Sequence, residues 1–277
     1  SQGGAEARSW PHFSNQWEST LTPPTVAETL TTPLLLFLAG LVAGTLNVIA
    51  GGGSMLTLPV MIFLGLPPTV ANGTNRVAIL IQNIGASWAF HRKKLISRDW
   101  LLLAVPPALV GVVVGALVAV KIGDLAFQRI LALILVALAA WTVWRPIKPP
   151  EEGDAPPPKG TRRWAFALFF FFAGAYGGFI QAGVGFIILA VTTAGGLNLI
   201  RGNALKIPLV LAFTAVALAV FAWNGKVDWG VGLALAAGNF LGGLAGVRLQ
   251  VLKGHRWVRS VVTLTIVVFA VRLLFWG

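Results

Sequence analysis

The sequence has no cysteine, which excludes disulfides, thiol catalysis and cysteine-ligated metal. Charge is scarce as well. Asp, Glu, Lys and Arg make up 11% of the 277 residues, against roughly 25% in soluble domains. Nine residues are acidic, and none lies inside an apolar run. That removes the carboxylates that intramembrane acid–base or metal chemistry would use. The three histidines, His12, His91 and His255, are scattered without metal-ligand spacing. The sequence therefore predicts neither an enzyme nor a bound cofactor or metal.

What it does have is apolar length. The chain is 56% hydrophobic, with a mean hydropathy of +0.80. Uncharged runs recur: Thr29–Asn75, Val77–Phe90, Leu101–Val120, Ile130–Trp144, Trp164–Ile200, Ile207–Gly225, Trp229–Val247 and Ser260–Val271. Solid blocks of this kind mark an all-α polytopic membrane protein. A transmembrane β-barrel would alternate polar and apolar residues in short strands. The net charge of +12 points to membrane orientation rather than to nucleic acid, because most cations sit in short loops between apolar runs.

The chain divides into four stretches. Residues 1–32 form a polar tail whose opening Ser1–Gly4, with no initiator Met, reads as an added remnant. Residues 33–145 form a first transmembrane repeat, 146–163 a Pro-rich linker and 164–277 a second repeat. Matching landmarks hold one interval. Gly44 and Gly174, Gly53 and Gly183, Arg76 and Lys206, and Arg129 and Arg259 are each 130 positions apart. Asp99-Trp100 and Asp228-Trp229 keep the interval within one residue, as do Gly111-xxx-Gly115 and Gly242-xxx-Gly246. Landmarks of several types at one offset argue for duplication. The glycine pairs predict close helix packing.

The loops Arg92–Arg98, Arg145–Arg163 and Arg248–Arg259 are rich in Lys and Arg and are expected in the cytoplasm. This places both termini outside, the linker inside and the protein in the cell's inner membrane. Each half then has an odd number of crossings, so the halves are expected to be inverted repeats with a site at their junction. In each half a glycine-broken helix pair precedes three long helices, the last two of the second half spanning about Asp228–Val251 and Arg256–Phe275. Tryptophans such as Trp88, Trp100, Trp164, Trp223 and Trp229 suit interfacial belts.

The expected site gathers around the breaks. Gly51-Gly52-Gly53-Ser54 interrupts a helix, with Ser54 as the expected N-cap of the next one. Gly177-Gly178 through Gly183-Val-Gly185 interrupts its counterpart. Backbone freed by a break must be buried in protein or line a wet cavity, and a new helix start offers N–H groups to an anion. Arg76 and Lys206 follow the breaks. They are expected to face the pocket without carboxylate partners, or else to snorkel to opposite headgroup layers. Asn72 and Asn203 are N-caps or ligands. Thr74 and Asn75 are candidates to orient an anion. Asn47, Gln181 and Tyr176 bond freed carbonyls or touch substrate, and Gln82-Asn83 is a mid-helix pair that reads equally as a bridge between helices. The substrate-binding set is thus Asn47, Gly52, Gly53, Ser54, Asn72, Thr74, Asn75, Arg76, Gln181, Gly183, Gly185, Asn203 and Lys206.

Asn47 and Gly51–Gly53, Pro59, Gly65-x-Pro67 and Ala71-Asn72-Gly73-Thr74-Asn75-Arg76, closing on Asp99-Trp100, together resemble the sulfite exporter TauE/SafE family. So do Gly177-Gly178, Ala182-Gly183-x-Gly185, Arg201–Lys206 and Val227-Asp228-Trp229. The likeness runs from about Leu34 to the C-terminus. It departs at Ser54, where a fourth glycine is common, and at Val184 between the second-half glycines. The resemblance implies a transporter exporting small sulfur-containing anions: sulfite, sulfoacetate or other organosulfonates. Its partners are then a small anionic substrate and the bilayer, with no nucleic acid. The oligomeric state is open, a homodimer being one option. A passive anion channel, or an uptake carrier for another small organic anion, is the alternative reading.

Overall fold

A computed structural model describes residues 26–144 and 154–276. The helices are α1 (Val26–Ile49), α2 (Ser54–Phe63), α3 (Pro68–Arg92), α4 (Arg98–Lys121), α5 (Asp124–Trp144), α6 (Thr161–Phe179), α7 (Val184–Ala194), α8 (Leu199–Trp223) and α9 (Trp229–Trp276). Most of the polar tail and residues 145–153 of the linker lie outside the described residues. From Asp154 on, the linker is docked. Asp154 pairs with Arg201 at 3.1 Å, and the Trp100 indole donates to the Ala155 carbonyl at 3.0 Å. Trp100 is therefore buried rather than interfacial. Trp88, Trp164, Trp223 and Trp229 are exposed, as an interfacial belt requires.

Both glycine breaks are present, after α1 and after α6. Gly51 and Gly183 take the left-handed backbone (φ +88° and +74°) that only glycine enters without strain. Two expectations need correction. Ser54 is the first helical residue of α2, and Gly53 occupies the cap position with no side-chain bond. At the other end of the chain, α9 is one helix of 48 residues where two were expected. The basic segment between them has one glycine, no proline and several good helix formers, so nothing stops the helix there.

The polar and apolar surfaces are reversed relative to a soluble protein. Exposed faces carry Leu102, Val110, Leu133, Phe169, Phe172 and Leu241, as lipid contact demands. Thr31–Ile49, Arg98–Lys121, Leu199–Trp223 and Trp229–Lys253 are long and apolar enough to cross a bilayer. Helix α3 is different. It carries Asn72, Thr74, Asn75, Arg76, Gln82 and Asn83, all buried. That polar face is enclosed by protein, while Ile84 and Trp88 of the same helix are exposed.

The closest packing runs between the two halves of the sequence. Helix α1 packs chiefly on α9, and α4 on α6. Glycines make both contacts. A β-carbon added to Gly111 or Gly115 of α4 would strike the backbone of Phe171 or Ala175. One added to Gly238 or Gly242 of α9 would strike that of Phe37 or Leu41. The result is two mixed bundles. One gathers α1, α2, α3, α5 and α9; the other gathers α4, α6, α7 and α8. Two apolar cores follow this division in the main, but Ile79 of α3 sits in the core of the second bundle, and Phe186 and Leu199 sit in that of the first. A third core joins Val48, Phe90 and Val247 to Ala204 and Ile207 of α8. The bundles meet where α3 crosses α8 and where the two breaks touch: a β-carbon on Gly51 would lie 2.5 Å from the Cα of Gly185.

Candidate functional site

Helix α1 ends on the carbonyls of Asn47, Val48 and Ile49, and α6 on those of Gly177, Gly178 and Phe179, each 130 positions later. The last carbonyls of a helix have no partner within it. Here each set is held by the other half of the chain. Arg76 donates to Gly177 O at 3.0 Å and to Gly178 O at 2.7 Å, and Asn72 Nδ2 donates to Phe179 O at 2.9 Å. Reciprocally, Lys206 Nζ donates to Asn47 O at 2.9 Å and Val48 O at 3.0 Å, and Asn203 Nδ2 donates to Ile49 O at 2.9 Å. A cation at a helix C-terminus also meets the negative end of its dipole.

This corrects the expectation that the two cations lack partners. Both are fully buried, so neither snorkels, and carbonyl oxygens are their partners. It also moves Asn72 and Asn203 from the caps to the helix interiors. The capping role at α8 falls to Asn198, whose side chain accepts from Arg201 N at 2.9 Å.

A small cavity lies where the breaks meet. It is lined by Asn47, Ile79, Asn83, Gln181, Val184, Gly185, Lys206, Ile207 and Val210. No carboxylate lines it. It has room for about one water molecule. The start of α7 borders it, where the first N–H groups of a helix have no partner within the helix. Two lining side chains keep unused hydrogen-bonding atoms: Asn83 Nδ2 and Gln181 Oε1. The Gln181 amide nitrogen is spent on the hydroxyl of Thr214.

Of the thirteen residues expected to bind substrate, Asn47, Gln181, Gly185 and Lys206 are brought together at this cavity. The others stand apart from its lining. Thr74 Oγ1 accepts from Asp228 N at 2.8 Å. The Asn75 side chain accepts from Thr57 at 2.7 Å. Asn203 also bonds Gln250 at 2.8 Å. Gly53 packs on Ala43 and Asn47, Gly52 faces the Phe186 ring, Ser54 is buried behind it in α2, and Gly183 supplies the turn into α7. Arg76 lies under the Phe221 ring, 4.5 Å from its centroid, with Nε unpartnered. Tyr176 does bond a freed carbonyl, that of Ala182, at 2.5 Å.

Ile79, Ile207 and Val210 escaped the sequence reading, and Asn83 and Val184, though named there, were not counted among the substrate-binding residues. For Asn83 a signal existed: it follows Arg76 by seven residues and so shares its helix face.

The sequence model for the sulfite exporter TauE/SafE family matches residues 36–273. The chain belongs to that family. Among TauE/SafE relatives, the probable membrane transporter protein ORF9 of Sinorhizobium is 31% identical over 242 residues, 86% of this chain and 91% of its own length. A probable membrane transporter protein of Haemophilus influenzae is 30% identical over 237 residues, covering 83% and 89%. The probable membrane transporter protein YfcA of Escherichia coli K12 is 29% identical over 254 residues, covering 89% and 92%. No solved structure matches this TauE/SafE chain. With its several apolar helices it is a multi-pass membrane transporter.

Proposed function

We propose that this transporter exports a small sulfur-containing anion, such as sulfite, sulfoacetate or another organosulfonate, by alternating access. The observation that carries the reading is the cavity at the junction of the two breaks, which is lined by a buried lysine, three amide side chains and no carboxylate. Lys206 supplies the charge. The α7 N-terminus at Gly183–Gly185, with the Asn47 amide, supplies hydrogen bonds, while Gln181 lines the pocket with an acceptor oxygen. Arg76 adds positive potential from beneath Phe221. Asn72, Thr74, Asn75 and Asn203 hold the helices in place, and the Gly51–Ser54 turn lets the two breaks approach.

In this reading residues 33–145 and 164–277 are inverted repeats. Reciprocal capping at one sequence interval supports a two-fold relation between them. The basic loop Arg92–Arg98 and the linker 146–163 face the cytoplasm and the N-terminus faces outward, in the inner membrane. Helix α9, unbroken from Trp229, crosses once and carries the C-terminus to the cytoplasmic side instead of returning it outward. The moving bodies are the two mixed bundles, because the glycine contacts join α1 to α9 and α4 to α6. A cavity holding about one water favours an occluding carrier over an open channel.

The test is flux in liposomes with sulfite, sulfoacetate, taurine and sulfate side by side, for wild type and Lys206→Gln. Saturable flux of a sulfur anion, lost in the variant, is expected. Transport of neutral or cationic solutes alone would overturn the proposal.

A further inference from the structure

Duplication gave this chain two cation caps, but the two surroundings differ. Asn47 and Asn83 border the cavity in the first half. The residues 130 positions later are Gly177 and Phe213. Phe213 is fully buried, and a β-carbon on Gly177 would lie 3.0 Å from its ring. An aromatic ring thus fills the volume that the Asn83 amide leaves open in the other half. A second ring, Phe221, covers the Arg76 guanidinium. The two helix starts differ in the same sense. Val184 and Gly185 at the start of α7 border the cavity, whereas the Phe186 ring lies about 3.1 Å from a β-carbon placed on Gly52, just before α2.

Polar satisfaction agrees. Asn83 is fully buried and its amide nitrogen has no partner, a costly state unless something occupies the cavity beside it. Lys206 spends two N–H groups on Asn47 and Val48 and keeps a third. Gln181 Oε1, the other unpartnered lining atom, is an acceptor. It suits an N–H or O–H carried elsewhere on the same ligand.

We propose that the transported anion is held on one side of the molecule only, with Asn83 as a direct ligand beside Lys206, while the equivalent half-site at Arg76 is plugged by Phe213 and Phe221 and takes no substrate. This rests on the anion-transport reading above and goes further, since it sets one anion per chain and names a ligand from the first half of the sequence. Ile79, Val184, Ile207 and Val210 give this site an apolar wall. An anion with a short alkyl group matches that wall better than a bare inorganic one.

The test is calorimetric titration of the purified full-length protein with sulfite and with methanesulfonate, for wild type, Asn83→Ala and Asn83→Ser. We expect one anion per chain and tighter binding of methanesulfonate than of sulfite. Asn83→Ala should weaken binding by about ten-fold or more, the loss of one hydrogen bond to a charged group. Asn83→Ser, which keeps a donor, should fall between. The unfolding temperature of each variant, read from tryptophan fluorescence, should stay within about 5 °C of wild type. If Asn83→Ala does not fold, Asn83→Ser and the wild-type stoichiometry decide. Two anions per chain, or unchanged affinity in a folded Asn83 variant, would overturn this proposal and leave anion transport standing. A cooperatively folded wild type that binds neither probe would overturn both.

Discussion

The ammonium of Lys206 lies 2.9 Å from the carbonyl oxygen of Asn47, 159 positions earlier in the chain. One side chain therefore closes the end of a broken helix and borders the cavity beside it. Lys206→Met should remove both functions. Two buried carbonyls lose their donor, at about 1–3 kcal/mol each, and anion flux should vanish. Thermal unfolding and liposome flux read the two losses separately. Arg76→Lys should keep partial capping of Gly177 and Gly178 and partial flux.

Gly51→Ala should destabilise the protein by about 1–3 kcal/mol, the range for a non-glycine residue forced into left-handed backbone. The added methyl also meets Gly185 of the opposing break. Gly65→Ala is the control. It has a similar φ of +94° but open space around it, so it carries the backbone strain without the collision. Comparing the two unfolding temperatures isolates the contact between breaks.

Cysteines placed at Val48 and Gly246 would have β-carbons about 3.1 Å apart, within a small shift of disulfide geometry. The bond joins α1 to α9, which belong to different sequence halves but the same bundle. Oxidation should leave flux within about two-fold if the bundles move as units, and should stop it if the sequence halves rock against each other. The natural absence of cysteine makes the background clean.

Single cysteines at Lys94 and Lys159 should react with a membrane-impermeant maleimide only from the cytoplasmic side, and one at Gly225 only from outside. The reverse pattern would invert the orientation proposed for the whole chain.

The helices and both breaks were legible in the sequence because apolar length and clustered glycine are composition signals that survive without coordinates. Arg76 and Lys206 stood out for a sound reason: a cation in an apolar run must find a partner. The partner was not legible, since every residue carries a carbonyl and nothing marks Gly178 O as the acceptor. Gln82-Asn83 was noticed as a polar pair. What marks Asn83 as a site residue is its place in the cavity lining with an unpartnered amide nitrogen, which no sequence pattern shows. The unbroken α9 was missed because a run of Lys and Arg signals a loop to topology rules and a helix to propensity. Propensity prevailed.

The exchange of helices between halves also constrains how the protein is made. When the first half leaves the ribosome, α1 and α4 are inserted with their glycine faces bare, since α9 and α6 do not yet exist. The polar side chains of α3 wait in the same state, and the carbonyls of α1 have no Lys206. The newborn half is a nascent intermediate in need of shelter, and assembly must finish all at once after the second half arrives. Expressed alone, residues 33–145 should be degraded. Supplied together as separate chains, the two halves should rescue each other.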